Sequence, residues 1–125
     1  MEKLQEFEVT TFALGPAAAV VKIAGDLDLY SAAEVAESFA SLPGGARHVL
    51  ADLTELSFVD SAGISTLLAA ERRLRGEGGS LTLLVDDLRV LRVLEVTGLD
   101  RYLAIHQDRG EALRRVSGAA LAETT

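Results

Sequence analysis

The chain alternates short apolar runs with segments of helical spacing, and this alternation constrains its fold more than any other feature. The first two runs, residues 6–12 and 18–24, are joined by a turn at Gly15-Pro16, which predicts an antiparallel pair. Each later strand is separated from the next by a helix, and such crossovers give parallel strands. The sequence therefore predicts a mixed, mostly parallel sheet with helices packed against it.

The predicted order of elements is β-β-α-β-α-β-α-β-α, which is an α/β fold in one small domain. The four residues Gly25-Asp26-Leu27-Asp28 are expected to end the second strand, and a connection is expected between the third strand and Phe58-Val59. Glycines after the helical patterns, such as Gly98, are expected at helix ends. The later strands are predicted at residues 49–53, 81–85 and 102–105, and the helices at 31–42, from Ser61 to just before Gly76, around Leu88–Leu94 and at 109–121.

Length and composition fit a single globular domain, 1–125, that buries its own core. Cysteine is absent, which excludes disulfides and thiolate metal sites. The polar N-terminal residues have no signal-peptide pattern, and no apolar run is long enough to cross a bilayer. We therefore expect a cytoplasmic protein with no membrane partner.

The formal net charge of −7 makes nucleic acid an unfavourable partner, because a negative field repels the phosphate backbone. Aromatic residues are only 5% of the chain, so stacking platforms for bases or sugars are scarce. The cluster Arg72, Arg73 and Arg75 is explained by its place at a predicted helix end, where cations interact favourably with the helix dipole.

The segment Asp60-Ser61-Ala62-Gly63 lies between a strand-like run and a helix, and two interpretations of it stay open. In one, Asp60 or Ser61 caps the helix by accepting a hydrogen bond from a backbone N–H group. In the other, Ser61 accepts a phosphate, which the positive end of the helix dipole tolerates. That phosphate adds about 1.5 to 2 negative charges and would repel an acidic or apolar partner surface.

Two aspartates, Asp26 and Asp28, lie at the end of the predicted second strand. The simpler interpretation is that the pair ends the strand and helps to start the next helix, with Ser31 as a possible cap, while a surface recognition role for Asp28 stays open. No phosphate-binding glycine loop or serine-hydrolase elbow occurs. A response-regulator receiver is disfavoured because the only lysines, Lys3 and Lys22, are early in the chain.

Three segments resemble the motifs of STAS domains, in the same order along the chain. Residues 25–32 are similar to the family's Gly-Glu-Leu-Asp-x-x-Thr-Ala segment. Residues 52–64 are similar to Asp-Leu-x-x-Val-x-Phe-x-Asp-Ser-Ser/Thr-Gly-Leu, and residues 93–99 to its later Leu-x-x-Thr-Gly-Leu piece. The family has serine or threonine after the acceptor serine, where this chain has Ala62.

The resemblance implies an anti-sigma factor antagonist, a regulator rather than an enzyme, that belongs to the free-standing members of the family. Such a protein binds an anti-sigma factor while unphosphorylated and thereby frees a sigma factor. The anti-sigma factor is also a serine kinase, expected to phosphorylate Ser61, and a serine phosphatase reverses the reaction. The resemblance implies no cofactor on this chain, because ATP and magnesium belong to the kinase. It also implies a partner-binding surface that comprises Asp28, Asp60, Ser61, Ala62 and Gly63.

Two alternatives are retained. The chain could be a constitutive STAS interaction module, or a subunit of a larger complex, in which Ser61 lies in a helix start without a phospho-switch. An enzyme acting on a small phosphorylated ligand is supported only by the acidic residues and the fold.

Overall fold

A computed structural model describes residues 6–123, which form a five-stranded mixed sheet and four α-helices. The strands are β1 (Glu8–Ala13), β2 (Ala18–Leu27), β3 (His48–Val59), β4 (Ser80–Leu84) and β5 (Ala104–His106). The helices are α1 (Ala32–Ala40), α2 (Ser61–Gly76), α3 (Leu88–Val96) and α4 (Arg109–Glu123). The predicted fold class and order of elements are confirmed, and Gly98, with φ of 77°, follows the end of α3 as expected.

The strands lie side by side in chain order, β1-β2-β3-β4-β5. β1 pairs antiparallel with β2, as the Gly15-Pro16 turn predicted, whereas all later pairs are parallel. The carboxyl ends of β2, β3 and β4 therefore meet at one edge of the sheet, where the loops that precede α1, α2 and α3 also lie.

Two expectations about strand length were wrong. Gly25 does not end β2. It adopts a φ of +90° at an irregularity in the register, and the strand stays paired with β3 as far as Leu27. The connection expected before Phe58 is also strand, so that β3 runs unbroken from His48 to Val59. Its second half contains exposed polar residues such as Glu55, which are common where one face of a sheet contacts solvent. These residues interrupt the apolar run, so the apolar pattern alone did not predict this part of the strand.

The two faces of the sheet have separate cores. On one face, α1, α2 and α3 pack over the strands through side chains such as Phe39, Leu67 and Leu94, all at most 2% exposed. On the other face, α4 covers a smaller cluster through Ala112, Val116 and Ala120. Each large apolar side chain buried in this way contributes roughly 1.5–3 kcal/mol to folding, so the position of α2 at the carboxyl edge is firmly fixed.

Candidate functional site

Ser61 is the first residue of α2 and its side chain is exposed at the carboxyl edge of the sheet. Asp60 precedes it in an extended conformation and caps the helix, because its Oδ1 accepts a 3.0 Å hydrogen bond from the N–H of Gly63. The carbonyl oxygen of Asp60 also accepts from the N–H of Ile64, at 2.9 Å. Of the two candidates for the cap, Asp60 therefore has the role, and the Ser61 hydroxyl remains available at the surface.

Gly63 is buried beneath the first turn of α2. A Cβ atom placed on it would lie 2.5 Å from the carbonyl oxygen of Leu27 and 2.8 Å from Cγ2 of Val59, both far inside van der Waals contact. The close approach that Gly63 permits is thus directed inward, onto the ends of β2 and β3. This contact fixes the start of the helix against the sheet, while the half-buried Ala62 lies beside Ser61.

The loop after β2 is organised by the carboxylate of Asp28. Its Oδ1 accepts hydrogen bonds from the backbone N–H groups of Tyr30, at 2.9 Å, and Ser31, at 3.1 Å. The hydroxyl of Ser31 donates to the carbonyl oxygen of Asp26 at 2.7 Å and accepts from the N–H of Asp28 at 3.0 Å. Ser31 was considered as a helix cap, but its side chain makes no capping bond to α1, because it is buried and bonds back into the loop.

The two loops are joined directly. The N–H of Asp60 donates a 3.2 Å hydrogen bond to the carbonyl oxygen of Leu27, and Leu27 is paired with Val59 in the sheet. This connection brings Asp28, Asp60, Ser61 and Ala62 to the same edge, although Asp28 is more than thirty residues away in the sequence. Their role in partner binding stays a prediction.

Sequence reasoning missed four large apolar side chains that are exposed near this edge. The exposed fractions are 71% for Leu29, 93% for Tyr30, 51% for Phe58 and 74% for Leu88. Leu29 and Tyr30 follow Asp28 directly, and two consecutive large apolar residues in a loop were a signal that could have identified them. The carboxyl edge therefore combines a serine at a helix start, carboxylates and exposed apolar side chains.

A further aspartate, Asp52, lies away from this edge, within β3, and is almost completely buried. Its carboxylate accepts from Arg109 Nη1 at 2.9 Å and from the hydroxyl of Thr54 at 2.7 Å. Burial acts to raise the pKa of Asp52, but the hydrogen bonds from Thr54 and Arg109 together outweigh it and hold that pKa below its ordinary value. The residue forms an ion pair that ties α4 to the sheet.

Residues 6–123 contain no group of three or more His, Cys, Asp or Glu side chains arranged to hold a metal ion. None of the helices in this range has the length and apolar character needed to span a membrane.

Comparison with known proteins decides the family. Residues 10–107 match the family model described as Mlab, STAS domain. This chain belongs to the STAS domain family. The family confirms the resemblance drawn from its motifs, and relatives that share more than 30% identity with the chain are anti-sigma-B factor antagonists. The anti-sigma-B factor antagonist of Listeria monocytogenes is 34% identical to this STAS domain over 90 residues, which cover 71% of this chain and 79% of the relative.

Solved structures agree with the fold of this STAS domain. An anti-sigma factor antagonist from Mycobacterium paratuberculosis superposes with a TM-score of 0.79 at 21% identity, covering 90% of this chain and 95% of that one. The anti-sigma factor antagonist SpoIIAA in its unphosphorylated form gives a TM-score of 0.69 at 24% identity, with 90% and 97% covered. SpoIIAA of Bacillus has also been solved in a phosphorylated form, with a TM-score of 0.61 at 23% identity and coverage of 89% and 99%.

Proposed function

We propose that this STAS domain is a cytoplasmic anti-sigma factor antagonist. In its unphosphorylated state it binds an anti-sigma factor that is also a serine kinase, and it thereby frees a sigma factor. Phosphorylation of Ser61 by that kinase ends the interaction, and a serine phosphatase restores it. The observation that carries the proposal is the exposed Ser61 at the start of α2, in a chain related to anti-sigma factor antagonists.

A phosphate on Ser61 is compatible with the fold for two reasons. The first turn of a helix offers backbone N–H groups and a positive dipole end to an anion. Asp60 and Gly63 hold that turn in place independently of the Ser61 hydroxyl, through the 3.0 Å capping bond and the contact of Gly63 with Leu27. Folding therefore does not depend on whether the hydroxyl is modified.

The same phosphate is incompatible with a partner that covers the carboxyl edge. It would add about 1.5 to 2 negative charges next to the carboxylate of Asp60. A partner surface that packs against Ser61 would have to desolvate this charge or leave it unpaired, which costs several kcal/mol in a closed interface. ATP and magnesium are supplied by the kinase, and this chain contributes the acceptor hydroxyl.

The test uses purified anti-sigma factor kinases from the source genome. Each is incubated with this STAS domain and magnesium-ATP, and the phosphate is located by mass spectrometry. We expect one phosphate on Ser61 and none in Ser61→Ala, whereas Ser65→Ala, which alters an exposed serine one turn further along α2, should be phosphorylated normally. A phosphate that persists in Ser61→Ala would contradict the assignment.

Binding of the same kinases is then compared between the unmodified chain and Ser61→Asp. We expect Ser61→Asp to weaken binding at least tenfold while its unfolding midpoint stays unchanged. Equal binding would contradict the charge mechanism and favour the second candidate, a constitutive interaction module. That candidate is supported by the cap on α2, which Asp60 forms without any phosphate. Copurification of a partner that lacks a kinase domain would favour it further.

A further inference from the structure

The acidic residue Asp28 organises the loop that carries it through one of its two carboxylate oxygens. That oxygen, Oδ1, accepts from the N–H groups of both Tyr30 and Ser31, which closes a tight turn after β2. The buried hydroxyl of Ser31 braces the same turn through Asp26 and Asp28. The turn is therefore a fixed shape, and Leu29 and Tyr30 are at its tip.

The tip presents two large and exposed side chains next to each other. Tyr30 is 93% exposed and Leu29 is 71% exposed, and the two are consecutive in the chain. Because the turn below them is already ordered, little conformational entropy would be lost when a partner binds them. Tyrosine at a preordered and exposed position is a frequent anchor of protein interfaces.

The tip is rigidly connected to Ser61. The carbonyl oxygen of Leu27, the residue before Asp28, accepts the N–H of Asp60, and the first turn of α2 packs on Leu27 through Gly63. A partner that covers Ser61 therefore meets Leu29 and Tyr30 in a constant relative position. The groove beside the tip has a volume of about 420 Å3 and is lined by Phe7, Tyr30 and the carboxylates of Asp26, Asp28 and Glu34.

We infer that Leu29 and Tyr30 are the residues by which this STAS domain docks on its anti-sigma factor, and that Asp28 is a positioning residue that shapes their loop. The inference rests on the proposed function and specifies its partner surface. The complementary surface on the anti-sigma factor is an apolar cleft that receives the two side chains. Its rim is basic, because Asp26 and Glu34 flank the tip with negative charge.

Two substitutions of Asp28 distinguish its effect on the shape of the loop from its charge. Asp28→Asn keeps an oxygen that can accept from the N–H groups of Tyr30 and Ser31, but it carries no negative charge. Alanine removes both. If Asp28 acts by positioning the loop, Asp28→Asn preserves binding and Asp28→Ala weakens it. If Asp28 instead pairs through its charge with a cation of the partner, both variants weaken binding.

The experiment measures the dissociation constant for the anti-sigma factor kinase that phosphorylates this chain, by titration calorimetry without ATP. We expect Tyr30→Ala to weaken binding by about tenfold or more, Asp28→Ala to do the same, and Asp28→Asn to stay within about threefold of the unaltered chain. Tyr102→Ala is the matched control and should bind normally, because Tyr102 is a second exposed tyrosine that lies near the carboxyl-terminal end of α2, away from the end that carries Ser61. Affinity should also fall as salt is raised, in keeping with a basic rim on the partner.

Each negative result of the binding experiment contradicts a different part of the inference. Unchanged binding of Tyr30→Ala would overturn the docking role, and equal losses in Asp28→Asn and Asp28→Ala would overturn the positioning role. An affinity that is independent of salt would overturn the basic rim. If the unaltered chain binds no anti-sigma factor of its genome, the proposed function itself is contradicted and the inference fails with it. Unfolding midpoints of all variants are compared first, so that a loss of binding is not a loss of fold.

Discussion

The amide nitrogen of Asp60 donates a hydrogen bond to the carbonyl oxygen of Leu27 across 3.2 Å, and this bond joins the two loops of the candidate site. It extends the parallel pairing of β2 and β3 one residue past the register pair of Leu27 with Val59. Residues that are distant in the sequence are thereby held at fixed positions around Ser61, and the rigidity of this junction has measurable consequences.

Gly63→Ala should destabilise the fold by roughly 1–3 kcal/mol, because the added Cβ would lie 2.5 Å from the carbonyl oxygen of Leu27. Urea unfolding followed by circular dichroism measures the change. Gly76→Ala is the control at the other end of α2, where an added Cβ meets nothing within 4 Å, and it should leave stability unchanged or raise it by up to about 1 kcal/mol. Equal effects of the two substitutions would contradict the close contact.

Asp60→Ala should cost about 1 kcal/mol of stability, since it removes the acceptor for the N–H of Gly63. Asp60→Asn should lose little, because asparagine caps helices about as well as aspartate. Urea midpoints of the two variants provide the measurement. A loss in Asp60→Asn as large as that in Asp60→Ala would show that the charge of Asp60, rather than its cap, stabilises this edge.

The ion pair between Asp52 and Arg109 should make stability depend on acid pH. The pKa of Asp52 is lower in the folded chain than in the unfolded chain, so the stabilisation is complete above the unfolded pKa, near 3.8, and is lost as pH falls through the folded pKa. Between about pH 6 and about pH 3, the unaltered chain should lose more stability than Asp52→Asn does. Urea titrations at the two pH values test this, and parallel losses would contradict it.

Arg109→Met should destabilise the chain at neutral pH by about 1–2 kcal/mol, because Asp52 would be left buried without its guanidinium partner. The cost is moderated because the side chain of Arg109 is itself 55% exposed and Thr54 keeps its hydrogen bonds to the carboxylate. A double variant that also carries Asp52→Asn should be less destabilised than the sum of the single variants. Additive losses would exclude coupling between the two side chains.

Asp87, which caps α3 by accepting the N–H of Arg89, should titrate with a pKa of about 2. The hydrogen bond from the Arg89 side chain is the largest cause of this low pKa, and the bond from its backbone N–H is the next. Carbonyl carbon NMR should therefore show a higher pKa for Asp87 in Arg89→Ala that still lies below 3.8. Arg92→Ala, on the same helix, is the control and should leave the titration of Asp87 unchanged.

Local patterns in the sequence predicted most of the fold. The spacing of apolar residues predicted the order of the strands and helices. Each element must turn an apolar face to the core, and the period of that face along the sequence differs between a strand and a helix. The turn at Gly15-Pro16 gave the antiparallel pair, and a polar residue before an apolar helical pattern placed the start of α2 at Asp60-Ser61. The motifs of residues 25–32 and 52–64 gave the family.

The tertiary structure decided what depends on contacts between distant residues. The length of β3 follows from its pairing with β2, which overrides the polar composition of residues 54–57. Burial of Gly63 follows from the approach of α2 to Leu27, and no local spacing encodes that approach. Likewise, the sequence shows that Leu29 and Tyr30 are apolar, but only the packed fold, in which Asp28 closes the turn beneath them, leaves them exposed at the same edge of the sheet as Ser61.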